Sequence, residues 1–211
     1  TPKALTSGNH AIGGWTYAPA TGRHVFTKDD PANAGDVFTT TTGALAQVSH
    51  VFDRFAKDFR VPRQEKVSWK GADGVTVEGM LFYPLDYQQG QRYPLVVQTH
   101  GGPQASDKFG FGRWSNYTQV LTAKGYVVLQ PNYRGSSGFG DAWLQENGFK
   151  SWRTSIGDVA SAGRWLVSQG IADANKLAIV GWSYGGYAAL QAGVVEPGLF
   201  KALVAIAPVT D

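Results

Sequence analysis

Cysteine is absent from the sequence, and so are long apolar runs and clusters of like charge. Without cysteine the protein has no disulfide, no cysteine-bound metal and no thiol catalysis, although this assigns no compartment. No apolar stretch approaches the roughly 18 residues that span a bilayer, and "TPKALTSGNHAIGG" does not have the pattern of a signal peptide. The net charge is only +3 and the basic residues are scattered, which argues against nucleic-acid binding. We expect a soluble protein without metal, other cofactor, nucleic-acid partner or membrane partner.

Hydrophobic residues make up 43% of the 211 residues and charged residues 17%, as in ordinary globular proteins. The 27 glycines indicate many tight turns. A chain of this length forms one large domain, or one domain and a piece of another.

The N-terminal part of the sequence has the pattern of short antiparallel strands. "GWTYAPATGRHVFTKDD" and "GDVFTTTTGALAQVSH" place β-branched and aromatic residues on both sides of turn signals. Two hairpins give about four strands, the content of one β-propeller blade, which needs neighbours to bury its faces. An isolated sandwich piece is the alternative. The polar stretch "FAKDFRVPRQEK" predicts a boundary near Pro62, with a blade-like segment over residues 1–62 and an α/β domain over residues 63–211.

From Glu65 onward the pattern changes to alternating strands and helices. "EKVSWKGADGVTVEGMLFYP" predicts a hairpin at the antiparallel edge of a larger sheet. The apolar strands "YPLVVQTH", "YVVLQPNY", "KLAIVGWS" and "KALVAIAP" are separated by predicted helices over residues 117–124 and 156–168 and from Tyr184. Such strands indicate a mostly parallel sheet covered by helices on both faces. The helix over 156–168 has one apolar stripe, formed by Ile156, Val159, Ala160, Gly163, Leu166 and Val167.

Ser183 lies in the G-x-S-x-G pattern of "IVGWSYGGYAAL". The pattern alone is weak in a glycine-rich chain, but here it follows a buried strand and opens a helix, as a nucleophile elbow requires. Gly181 and Gly185 would let strand and helix approach closely while Ser183 takes an unfavourable backbone conformation that exposes its Oγ. We predict that Ser183 is a nucleophile; a glycine-rich turn with Ser183 as helix cap is the alternative.

Two main-chain N–H groups are candidates for the oxyanion hole. One belongs to Tyr184, directly after the nucleophile, and the other to Gly101 in "HGGP". His100 is interpreted as a loop-shaping residue, because in α/β-hydrolases the general base follows the serine in the chain. Gly102 and Trp182 are also predicted to shape the site.

Several motifs together, in order and spacing, resemble the catalytic domain of the prolyl oligopeptidase family of serine peptidases. They are "QTHGGPQ", "PNYRGSSGFGDAW", "GDVASAGRWLVSQG", "KLAIVGWSYGGYAALQAG" and "FKALVAIAPVTD", and the likeness covers residues 65–211. The histidine of "HGGP" is more similar to acylaminoacyl peptidases than to dipeptidyl peptidase IV. The resemblance implies a β-propeller ahead of the hydrolase domain, with residues 1 to about 60 similar to its last blade.

The resemblance assigns Ser183 as nucleophile and the main chain of Tyr184 and Gly101 as oxyanion donors. Arg134 in "YRGSSG" and Asp158 in "IGDVASA" match positions that shape the surroundings of the site. For these two, a structural ion pair or a carboxylate at a helix N-terminus is an equally good interpretation.

The sequence departs from the family pattern after the serine. The family's catalytic aspartate and histidine lie past the last residue, and none of His10, His24, His50 and His100 follows Ser183. We therefore expect a piece of a longer peptidase, truncated before the aspartate and histidine of its triad. Asp211, at the end of a predicted strand, is an alternative acid, but it would still have no histidine.

The sequence favours a serine peptidase that acts on short peptides by acyl transfer and needs missing residues or a companion chain. An esterase or lipase-like hydrolase, and a catalytically inert binding fragment, are the alternatives. The strand "VAIAPVTD" would leave an unpaired edge and an uncovered apolar face. We therefore expect a companion chain, an oligomer or aggregation.

Overall fold

The computed structural model of the protein describes residues 4–40, 44–71, 73–111, 116–146 and 149–210. The first sheet is an antiparallel meander of four strands in the order β1-β2-β3-β4, as the two hairpins predicted. The strands are β1 (Ala11–Ala18), β2 (Arg23–Asp30), β3 (Asn33–Thr40) and β4 (Ala46–Gln47). β1 is exposed along nearly its whole length, with Trp15 60% and Tyr17 45% exposed. The sheet therefore leaves apolar surface uncovered, as expected of a single blade.

Asp36 on β3 ties the end of the first sheet together. Its carboxylate is buried and accepts hydrogen bonds from the Ser49 hydroxyl at 2.5 Å and the main-chain N–H of Val51 at 2.9 Å and Phe52 at 3.1 Å. The side-chain amide of Asn33 donates to the same carboxylate at 2.8 Å. Burial alone would raise the pKa of Asp36, but these hydrogen bonds lower it to about 2.

The stretch predicted as a linker contains one short helix, α1 (Phe55–Asp58), because its phenylalanine rings pack together. Phe55 also contacts Phe111 of the second part of the chain, with ring centroids 4.9 Å apart. The boundary proposed near Pro62 falls between the first sheet and the second, and stays a prediction.

The second sheet has six strands in the order β10-β9-β7-β8-β6-β5. They are β5 (Gln64–Lys70), β6 (Thr76–Phe82), β7 (Tyr93–Thr99), β8 (Val127–Asn132), β9 (Ala172–Trp182) and β10 (Ala202–Ile206). β5 and β6 form an antiparallel hairpin at one edge, and the other four strands are parallel. The mixed, mostly parallel sheet and its hairpin edge confirm the predicted architecture.

The helices of the second part are α2 (Asn116–Ala123), α3 (Asp141–Gln145), α4 (Trp152–Ser168) and α5 (Tyr184–Val195). α4 begins at Trp152 rather than at Ile156, because its first turn is outside the buried stripe that predicted it. The one-turn helix α3 was not predicted, since five residues without a buried side chain carry no periodic signal. In the described part of the chain, no helix is long and apolar enough to cross a bilayer.

The sheet is covered on both faces at its centre but not at β10. Val97 on β7 and Leu129 on β8 are fully buried, whereas Leu203 and Val204 on β10 are 41% and 51% exposed. The uncovered apolar face predicted for this last strand is therefore present, since α5 is the one described helix with substantial packing against β10.

The strand order decides where the site forms. β7 and β9 are parallel neighbours, with Thr99 paired to Gly181. Their carboxyl ends therefore lie side by side, and the loop after Thr99 meets the turn after Trp182.

Candidate active site

Ser183 stands alone at the bend between β9, which ends at Trp182, and α5, which begins at Tyr184. Its φ of 57° and ψ of −122° form a conformation that residues with a side chain rarely adopt. The turn is held by Ser183 N–H donating to Ile206 O at 2.9 Å and by Tyr187 N–H donating to Ser183 O at 3.0 Å. The Ser183 side chain makes no capping hydrogen bond to α5. Ser183 thus occupies the N-cap position of α5 without using its hydroxyl as a cap, which leaves the hydroxyl available for chemistry.

Glycine is required on both sides of Ser183. A Cβ on Gly181 would overlap Gly185 O, and a Cβ on Gly185 would overlap Thr99 O and lie 2.7 Å from His100 O. The Thr99 hydroxyl, which is buried, donates to Gly185 O at 2.9 Å and so joins β7 to the first turn of α5. The predicted close approach of strand and helix is confirmed.

Gly101 lies close to Ser183 in space, and Tyr184 follows it in the chain. A Cβ on Gly101 would stand 3.3 Å from Ser183 Cβ and 3.9 Å from its Oγ. Tyr184 is the first residue of α5, where main-chain N–H groups have no acceptor within the helix. Its side chain is fully buried, and burial raises its pKa to about 12, so the phenol stays neutral. This arrangement is compatible with the two predicted oxyanion donors.

His100 is held inside its own loop. Its Nδ1 lies 2.8 Å from Gly101 O and its Nε2 lies 3.0 Å from the Ser136 hydroxyl. The Ser136 hydroxyl donates to Tyr133 O at 2.6 Å, and a neutral imidazole ring carries a proton on only one of its two nitrogens. Burial lowers the pKa of His100 to about 4, which favours this neutral form. These contacts fit the loop-shaping role predicted for His100.

Tyr133, which follows β8, is a residue that the sequence did not single out. Its hydroxyl donates to His100 O at 2.5 Å, and its ring stacks on the His100 ring with centroids 4.5 Å apart. The same ring lies 5.9 Å from that of Tyr184. Tyr133 is fully buried and contacts both loops that carry the candidate oxyanion donors. Its position directly before Arg134 in "PNYRGSSG" was the one available signal.

Arg134 and Asp158 form a buried ion pair. Nη2 and Nε of Arg134 lie 2.7 Å and 2.9 Å from the two carboxylate oxygens of Asp158, and the Arg134 N–H donates to the same group at 3.0 Å. Burial alone would lower the pKa of Arg134, but bonds to Asp158 and Asp73 raise it. The pair joins the segment after β8 to α4, and neither residue lines the cavity described below. This geometry favours the structural interpretation.

None of His10, His24 and His50 lines the cavity that Ser183 lines. His24 stacks with Trp15, and His50 Nδ1 lies 2.8 Å from the Asp53 carboxylate. No hydrogen bond joins Ser183 to His24, His50 or His100 within the described residues. Asp211 lies outside the described residues.

A cavity of about 490 Å³ opens beside the serine. It brings together five of the residues predicted to form the site, namely Ser183, Trp182, His100, Gly101 and Gly102. The loop over residues 105–110, side chains of α2, and Ala11 and Asp29 of the first sheet also line it, and Trp182 is 42% exposed. A serine on a strained strand-to-helix turn, at the carboxyl edge of a mostly parallel sheet, defines the class of the protein as an α/β-hydrolase.

Comparison with known proteins gives the family. Residues 113–211 match the model of the prolyl oligopeptidase family of peptidases, and this segment of the chain belongs to that family. Dipeptidyl aminopeptidase BIII of Pseudoxanthomonas mexicana is 42% identical over 108 residues, which are 51% of this chain and 15% of that protein. Dipeptidyl peptidase 8 of Mus musculus is 34% identical over 149 residues, which are 69% of this chain and 17% of that protein.

A solved structure shows the same fold. The crystal structure of Porphyromonas gingivalis dipeptidyl peptidase 4 superimposes with a TM-score of 0.83 at 22% identity, over 98% of this chain and 30% of that chain. The match includes the first sheet as well as the second. The chain thus spans less than a third of these relatives, and the preference for acylaminoacyl peptidases stays a prediction.

Proposed function

We propose that the protein is a serine-type peptidase that cleaves short peptides by acyl transfer through Ser183. The observation that carries the proposal is the strained backbone of Ser183, which presents its hydroxyl at a cavity beside Gly101. In this mechanism Oγ attacks the substrate carbonyl carbon while the N–H groups of Gly101 and Tyr184 donate to the oxyanion. The amine leaves as the acyl-enzyme forms, and water releases the acid.

The general base of the proposed mechanism is a histidine outside these 211 residues, oriented by an aspartate that is also outside them. A serine without a base is nearly inert at neutral pH. The buried, neutral His100 is already bound to Gly101 and Ser136, which supports a positioning role for it. Residues from a longer chain or a companion chain would complete the triad.

A fluorophosphonate probe tests the nucleophile. We expect the probe to label Ser183 in the full-length protein and not in its Ser183→Ala variant, because an activated serine reacts with phosphorus as it does with a carbonyl. The matched control is Ser168→Ala, which removes an exposed serine at the end of α4 and should leave labelling unchanged. Mass spectrometry of the labelled peptide identifies the site. Absence of labelling in the full-length protein would refute the assignment.

Peptide turnover separates a peptidase from an esterase. Serine peptidases also cleave activated esters, so hydrolysis of p-nitrophenyl acetate supports either activity. Release of amine from short peptides supports the peptidase, and ester hydrolysis without peptide hydrolysis contradicts it.

A further inference from the structure

Among the residues that the structure describes, two buried polar atoms in the wall of the cavity have no hydrogen-bond partner. They are Oδ2 of Asp107, in the loop after β7, and Nε2 of Gln119, on α2. Both side chains line the cavity that Ser183 lines. The oxygen is an acceptor and the amide nitrogen is a donor, so the cavity offers both kinds of hydrogen-bonding group.

Leaving such atoms unpaired lowers the stability of the fold, because folding removes their hydrogen bonds to water and no other hydrogen bond replaces them. Burial raises the pKa of Asp107 to about 7, which expresses the same cost for its charged form. Perturbed groups of this kind that lie in a cleft are characteristic of sites that bind a ligand.

Both groups sit on well-fixed parts of the fold. The main chain of Asp107 is clamped by the Asn132 side chain, which accepts from its N–H at 2.8 Å and donates to its carbonyl at 3.0 Å. Next to Gln119, the buried Thr118 hydroxyl donates to Gln98 Oε1 at 2.7 Å, which anchors α2 to β7. The segments that carry the two groups are therefore fixed, which lowers the entropy cost of binding a ligand there.

We propose that this cavity is a substrate subsite for a neutral amide group, whose N–H donates to Asp107 Oδ2 and whose carbonyl accepts from Gln119 Nε2. A peptide unit or a primary carboxamide has this pairing of donor and acceptor. An ammonium group would leave the Gln119 amide unpaired, and a carboxylate would be repelled by Asp107. The inference rests on the proposed function, since it makes the amide part of the peptide that Ser183 cleaves.

The test compares two substrates of the full-length protein, a short peptide and p-nitrophenyl acetate, which has no amide. We expect Asp107→Ala and Gln119→Ala each to raise KM for the peptide about tenfold, the usual effect of losing one hydrogen bond to a buried group. KM for the acetate should not change. Asp86→Ala is the matched control, because it removes an exposed carboxylate outside the cavity and should leave both KM values unchanged.

Three results would overturn the inference. In the first, KM for the peptide is unchanged in both variants while the acetate is still hydrolysed. In the second, KM rises equally for both substrates, which indicates a structural role. If the wild-type protein hydrolyses neither substrate, the proposed function fails, and calorimetry on the Ser183→Ala protein decides the subsite. In that experiment the third overturning result is a peptide Kd that stays the same when Asp107→Ala is added to the Ser183→Ala protein.

Discussion

At the scale of single residues, the candidate site depends on glycines, which have no side chain. Ser183 can adopt its strained conformation because Gly181 and Gly185 let β9 and α5 pass within contact of the main chain of β7. The cost of the strained turn is borne by the bonds from Ser183 to Ile206 and Tyr187 on either side. The site therefore requires the absence of a side chain at Gly181 and Gly185.

This requirement predicts the effect of adding one methyl group at Gly185. A Cβ there would overlap the Thr99 carbonyl oxygen, so main chain has to move. We expect Gly185→Ala to lower the free energy of unfolding by about 3 kcal/mol. Urea unfolding followed by circular dichroism measures the change.

The matched control is Gly157→Ala in α4, where an added Cβ has nothing within 4 Å. In this helix alanine is favoured over glycine, and we expect a gain of about 0.5–1 kcal/mol. Equal effects at the two positions would mean that the close approach at the serine is not what requires glycine.

The sequence revealed the parts of the site that are close along the chain. Gly181, Ser183 and Gly185 lie in one short motif, and the residue types at this spacing predict the role of each. Tyr133, Asp107 and Gln119 belong to separate elements, and only the strand order brings these elements near Ser183. No local pattern marks a residue whose importance arises from which strands become neighbours.

At the scale of elements, the strands were easier to predict than the contacts that join them. Uniform apolar runs identified β7, β8, β9 and β10. In β7 and β8 this pattern reflects burial on both faces, whereas β10 has it at an exposed edge. Nothing in the sequence "GDVF" distinguishes Asp36 from an ordinary strand residue. Its role appears only when residues 49–52 fold back on β3 and surround its carboxylate with donors.

The low pKa of Asp36 predicts a specific acid sensitivity. Its pKa is about 2 in the folded protein against 3.8 for an ordinary aspartate, so the folded state binds fewer protons between these values. The stabilisation is complete above about pH 4 and is lost as the pH falls through about 2, and it amounts to about 2 kcal/mol. We expect wild type to lose that much relative to Asp36→Asn between pH 5 and pH 2.

Denaturant unfolding of both proteins at the two pH values provides the comparison. Asp86→Asn, which alters an exposed carboxylate, is the control and should track the wild type. A constant difference between wild type and Asp36→Asn across the range would contradict the prediction.

At the scale of the whole molecule, the second sheet is uncovered at β10. This strand is at the edge of the second sheet, and its successive residues Leu203 and Val204 point to opposite faces yet are both exposed. Val194 on the neighbouring helix α5 is 72% exposed. We propose that a further strand, from a longer chain or a companion chain, covers this edge.

An uncovered edge of this kind predicts that the 211-residue chain associates when it is alone. Unpaired N–H and C=O groups next to apolar side chains form a template for another strand, and a lysine on such an edge opposes pairing. We therefore expect Val204→Lys to shift the sedimentation profile strongly toward monomer. Val120→Lys, at a similarly exposed valine on α2, should leave the profile unchanged, since α2 has no strand edge to offer. If the chain sediments as a monomer, or if the two variants behave alike, the chain does not associate through β10.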